Sequence, residues 1–188
     1  MASAFGRAVS RELEPRSAHE GLTRRELIQL GAGAIVALAW PARSRAALAP
    51  EVTGLLERSG FVYVSPLKGD GGESRCHGEV WYGWLDGSVV LITARTSWKA
   101  RALERGFARA RIWVGDHGRV GRVLGSGDAY REAPSFEASA ARSQDAALLD
   151  RLMTTYRGKY PKEIGSWEDR MRSGFASGER VLIRYTPA

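Results

Sequence analysis

The sequence predicts a mainly β protein: a six-stranded barrel, closed or split, with helices set between its strands. Three observations predict it. Short runs rich in β-branched and aromatic residues recur between glycine-rich breaks. Asp86-Gly87 stands between two such runs as a two-residue hairpin turn. Only three segments carry helical periodicity. That element count suits a barrel better than a doubly wound parallel sheet.

Phe61-Val62-Tyr63-Val64-Ser65 reads as a buried strand, and Lys68-Gly69-Asp70-Gly71-Gly72 breaks the chain after it. Gly78 to Leu85 reads as the second strand and Ser88 to Thr93 as its hairpin partner. A short helix is expected from Trp98 to Arg105, with Ser97 as N-cap and Gly106 as its stop. Arg109–Gly115 and Arg119–Gly127 read as strands around the Asp116-His117-Gly118 turn. From Asp145 to Tyr160, Leu148, Leu152 and Tyr156 recur at helical spacing, with Leu149 and Met153 widening the face. Ile164, Trp167, Met171 and Phe175 share one face of a third helix. Arg180 to Thr186 alternates Val181, Ile183 and Tyr185 with Arg180 and Arg184, as a last strand does.

The 188 residues are 44% hydrophobic and include six Trp, six Tyr and five Phe, enough to fill a core and to exclude wholesale disorder. One cysteine, Cys76, excludes an intrachain disulfide framework and a thiolate-rich zinc site. The net charge of +7 is spread thinly: seven arginines against four acids in residues 1–49, and 21 bases against 17 acids in the rest. No basic run or nucleic-acid module gathers it, so nucleic acid is not the expected partner.

Residues 1–49 read as an address rather than as fold. Thr23-Arg24-Arg25-Glu26-Leu27-Ile28 leads into an apolar stretch, Leu27 to Ala39, and Trp40-Pro41 ends any helix there. Ala47-Leu48-Ala49 is a small-x-small cleavage site. The paired arginines resemble the twin-arginine export motif, which implies the twin-arginine machinery as a partner and a periplasmic or extracellular destination. The apolar run is 13 residues. At 1.5 Å per residue it falls short of a ~30 Å hydrocarbon core, so no stable span is expected in the mature form. Left uncleaved, the segment is an N-terminal anchor. Residues 50–188 form the mature domain.

The segment Thr93-Ala94-Arg95-Thr96-Ser97-Trp98-Lys99 leaves a strand, presents three hydroxyls and opens a helix with a lysine in its first turn. A cation there repels the helix dipole, and an anion held between the two removes the conflict. Thr93, Ser97 and Lys99, with nearby amides, are therefore candidates to hold a phosphate monoester. A capped surface helix with a solvated lysine is the plain alternative.

From His77 through Lys99 the chain resembles the flavin-binding segment of the pyridoxamine 5′-phosphate oxidase-like split-barrel superfamily. Asp86-Gly87 stands at its turn, Thr93 ends its strand, and Ser97-Trp98-Lys99 stands at its phosphate grip. The resemblance runs more loosely over most of residues 55–187. It implies a six-stranded split barrel of the FMN-binding type, a homodimer with FMN at the subunit interface, and a two-electron reaction on a small-molecule redox substrate. It places His77, Glu79, Val80 and Trp81 along the isoalloxazine, and Thr93, Ser97, Trp98 and Lys99 at the phosphate. His77 stands where the pyridoxamine oxidases carry an arginine, and their substrate-binding arginine and histidine have no counterparts, so that substrate is not implied. A deazaflavin coenzyme in the same anion site is an alternative. So is a non-catalytic flavin- or haem-binding protein, with His77 and His117 as the available axial ligands.

Other chemistries lack their residues. Adjacent Cys76 and His77 point to opposite faces of a strand and cannot easily share a metal. Gly69–Gly72 lacks the Lys-Ser/Thr of a phosphate-binding loop, and Gly125-Ser126-Gly127 lacks the third glycine of a dinucleotide fingerprint. No Gly-x-Ser-x-Gly elbow is present.

Overall fold

A computed structural model describes residues 47–115 and 129–188. The expected strand Arg119–Gly127, His117, and the expected export signal up to residue 46 lie outside the described residues. Seven strands form one sheet: β1 Phe61–Pro66, β2 Gly78–Trp81, β3 Gly83–Leu85, β4 Ser88–Ala94, β5 Arg109–Val114, β6 Ser135–Ser143 and β7 Arg180–Pro187. Their order is β2-β1-β5-β6-β7-β4-β3, with every neighbouring pair antiparallel.

The two outermost strands are consecutive in the chain, separated by Tyr82 alone. β2 pairs with β1 from Phe61↔Trp81 to Val64↔Gly78. β3 pairs with β4 from Gly83↔Val90 to Leu85↔Ser88. The expected single strand Gly78–Leu85 is thus one extended segment that changes partner at Tyr82. That change nearly closes the sheet into a barrel. Counting β2 and β3 together leaves six strands, although β6 was not among those expected from the sequence.

The hairpin turn is as expected. Asp86 and Gly87 have φ of 49° and 63°, the pair of positive values that a twisted two-residue turn requires. Asp86 also takes a bidentate contact from Arg151 at 2.6 and 2.9 Å, fixing the turn against a helix.

Among the described residues four α-helices accompany the sheet: α1 Pro50–Arg58, α2 Trp98–Glu104, α3 Ala146–Lys159 and α4 Glu168–Ala176. The Asp145 carboxylate accepts from the Ala147 and Leu148 amides and starts α3. The helix expected across Ile164 to Phe175 is instead a 3-10 turn, Ile164–Ser166, followed by α4. α1 was not anticipated.

Strand alternation divides the core in two. Val89 and Leu91 of β4 and Ile183 of β7 face the barrel interior with Val62, Val64, Tyr82 and Ile112. Val90, Ile92 and Leu182 face outward onto Leu148, Leu152, Met153 and Tyr156 of α3 and Met171 of α4. β4 therefore reads as an unbroken apolar run because both of its faces are covered. On the far side, Tyr63, Trp113 and Tyr130 form a third, aromatic cluster. α1 packs Val52, Leu55 and Leu56 on the interior core, and the Tyr82 hydroxyl donates to the Leu56 carbonyl at 2.6 Å.

Candidate functional site

The end of β4 places a hydroxyl and a cation on one cavity. Thr93 is the last buried residue of β4, and the chain reverses through Arg95-Thr96 into α2. Ser97 caps α2 as expected, its Oγ accepting from the Ala100 amide at 3.3 Å. The Arg101 amide donates to the Ser97 carbonyl. Ser97 is thus engaged in capping and does not line the cavity.

The cavity measures about 300 Å³, at the lower end of the range for small-molecule sites. Val80 and Trp81 of β2, Leu91 to Thr93 of β4, and Tyr156 and Met171 of the outer helices form most of its wall. Lys99 and Arg180 supply its cations, and Trp167 stands beside it, 41% exposed. Trp81 is held rigidly, stacked on Tyr160 with centroids 4.3 Å apart and planes 7° from parallel. Tyr156 meets it edge-on at 5.9 Å and donates to its carbonyl.

Electrostatics single out Lys99. Its Nζ lies 4.4 Å from the centroid of the Trp98 ring, and no carboxylate among the described residues pairs with it. Burial pushes its pKa down to about 8. A half-buried ammonium without a counter-ion is destabilising, and an anion in the cavity relieves that cost. The Thr93 hydroxyl likewise makes no side-chain hydrogen bond among the described residues. Both groups fit a phosphate.

The structure brings Val80, Trp81, Thr93 and Lys99 together and leaves the other candidates around them. Trp98 packs its indole over Gly78, where an added Cβ would sit 3.7 Å from its Cζ2. Glu79 lies opposite Tyr63 in the β1–β2 ladder and is not part of the cavity wall. His77 belongs to the aromatic cluster: its Nδ1 is 2.7 Å from the Tyr63 hydroxyl, and its ring lies 5.7 Å from Tyr130. That is a structural histidine's environment. Arg180 was not singled out in the sequence as a site residue. Arg180 enters the site because β7 pairs Arg180 with Ala94, a register no local pattern reveals.

No protein-family model matches the sequence, and no curated protein matches it. Among solved structures the chain is similar to a conserved hypothetical protein, Rv2991, of Mycobacterium tuberculosis. That likeness has a TM-score of 0.51 and 20% identity, over 77% of this chain and 84% of that one. It is also similar to HutZ, the heme storage protein of Vibrio cholerae, with a TM-score of 0.48, 14% identity, and 75% and 90% of the two chains covered. The General Stress Protein 26 of Bacillus anthracis aligns at a TM-score of 0.46 and 13% identity, over 73% and 86%. What is shared is the fold, a mainly β split barrel with helices against it.

Proposed function

We propose that this chain is an exported split-barrel flavoprotein that binds a flavin nucleotide through its phosphate and carries out a two-electron redox reaction on a small molecule. One observation carries the reading: a half-buried ammonium without a carboxylate partner among the described residues, Lys99, shares the wall of a largely apolar cavity with the Thr93 hydroxyl.

In this reading Lys99 and Thr93 hold the phosphate, and Arg180 of β7 lines the same cavity. Trp81, Val80 and Met171 give the ring system an apolar bed and keep water from it. The flavin, when bound, supplies the electron transfer, and the protein supplies position and electrostatics. FMN is the smallest flavin that carries both a ring system and a phosphate. A homodimer would complete the open side beside Trp167. Arg24 and Arg25 direct the folded, loaded protein to the twin-arginine machinery.

The test is the absorption spectrum of the purified mature protein, with mass spectrometry of the released ligand. A yellow flavin spectrum is expected. Colourless protein that binds neither FMN nor riboflavin overturns the reading, and so does a Soret band with no flavin released.

A further inference from the structure

The cavity has neighbours. Arg180 lines it and also lines two neighbouring cavities of about 460 and 540 Å³. Arg95, Ser177 and Gly178 belong to both outer cavities, and Arg142 to the first of them. Neither Arg95 nor Arg180 forms an ion pair among the described residues. Arg142 is held by Glu104 at 2.7 Å and by the Ala100 carbonyl at 3.0 Å. Glu179 is the one acid on the walls of the outer cavities, against three arginines.

The backbone brings these arginines to one end of the sheet. Gly174 of α4 leaves room for Arg180: an added Cβ there would come within 2.9 Å of the Arg180 Cδ. The Arg95 amide donates to the Glu179 carbonyl at 2.8 Å, which ties the Arg95-Thr96 turn to the start of β7. The forked donors of a guanidinium match the oxygens of a phosphate.

We infer that the outer cavities take a second phosphate on the same ligand, so that the preferred cofactor is a flavin dinucleotide rather than the mononucleotide. The first phosphate lies at Lys99 and Thr93, the second reaches Arg180 and Arg95, and the remaining nucleoside occupies the space beyond. Charge supports this assignment, since one phosphate answers Lys99 and leaves Arg180 without an ion pair among the described residues and Arg95 with only the more distant Glu104 carboxylate acting on it. Volume supports it too, since the inner cavity alone is small for a nucleotide and the outer two are each larger.

The inference rests on the flavin reading, and the experiment separates the two. FMN and FAD are titrated into the full chain and into Arg95→Gln, an exposed position outside the inner cavity. FAD is expected to bind the wild type at least tenfold more tightly than FMN. Arg95→Gln is expected to remove most of that advantage while leaving FMN affinity unchanged, and inorganic pyrophosphate is expected to compete with FAD more strongly than inorganic phosphate does. FMN binding with no preference for FAD, or an equal loss of both ligands in Arg95→Gln, overturns this inference and leaves the flavin reading standing. Failure of both flavins to bind overturns both.

Discussion

The Tyr160 hydroxyl accepts the Tyr82 amide at 3.1 Å and donates to the Gly60 carbonyl at 2.5 Å. Tyr82 sits between the β2–β1 and β3–β4 ladders, so its amide has no strand partner there. A phenol from the end of α3 supplies the acceptor that the sheet does not. Tyr160→Phe leaves that buried amide and the Gly60 carbonyl unanswered, at an expected loss of about 1–3 kcal/mol. Urea unfolding of the variant measures it, and an unchanged midpoint would remove Tyr160 from the closure.

Gly83, the first residue after Tyr82, tests the same joint sterically. A Cβ at Gly83 would lie 2.8 Å from Leu152 Cδ1 and 3.4 Å from Thr155 Cγ2. Leu152 is fully buried and has nowhere to go. Gly83→Ala is expected to lower stability by about 1–3 kcal/mol, the usual cost of overpacking, read as a lowered thermal midpoint.

Lys99→Ala is expected to weaken FMN roughly tenfold to hundredfold, the equivalent of a charge-assisted hydrogen bond of ~1.5–3 kcal/mol. Riboflavin, which carries no phosphate, should bind the variant nearly as well as it binds the wild type. Fluorescence titration with both ligands checks this. Equal weakening of the two would remove Lys99 from the phosphate.

Desolvation has lowered the Lys99 pKa to about 8, and a bound phosphate raises it again. FMN affinity should therefore hold steady up to about pH 8 and decline above it, and Lys99→Met should abolish the decline. Stability of the ligand-free protein runs the other way. The folded state binds its proton less tightly than the unfolded chain, so the penalty is full below pH 8 and fades as pH climbs towards 10.5. Lys99→Met should raise stability at pH 7 by an amount on the order of 1–2 kcal/mol, and by much less at pH 10. Paired denaturation curves at the two pH values measure both.

Replacing Arg24 and Arg25 together by lysine is expected to leave the protein in the cytoplasm. Cell fractionation reads the result, and undiminished export would refute the route.

Much of the barrel was legible because the strands around the Asp86-Gly87 turn carry strong local signals: β-branched residues covered on both faces, and a turn dipeptide with one use. β6 was not legible. Its inward positions are Phe136, Ala138 and Ala140, and the small residues that let it pack against its neighbours are poor strand formers in isolation. α1 lay hidden behind the expected cleavage site, its burial resting on Leu56 rather than on a full apolar stripe. At the site, Thr93 and Lys99 were legible because one turn of chain brings them together. Arg180 was not, because only the β4–β7 register carries it there. His77 was misleading in the opposite way, close in sequence to Trp81 yet bound into the Tyr63 cluster.

Since the two flanks of the sheet are halves of a single strand, Tyr82 is the seam of the barrel. Parting it unzips two ladders at once and draws Val80 and Trp81 away from whatever occupies the space beside them. Occupancy and opening are thus linked quantities: a tighter guest means a rarer breach. The exchange rate of the Tyr82 amide hydrogen serves as a clock for that breach.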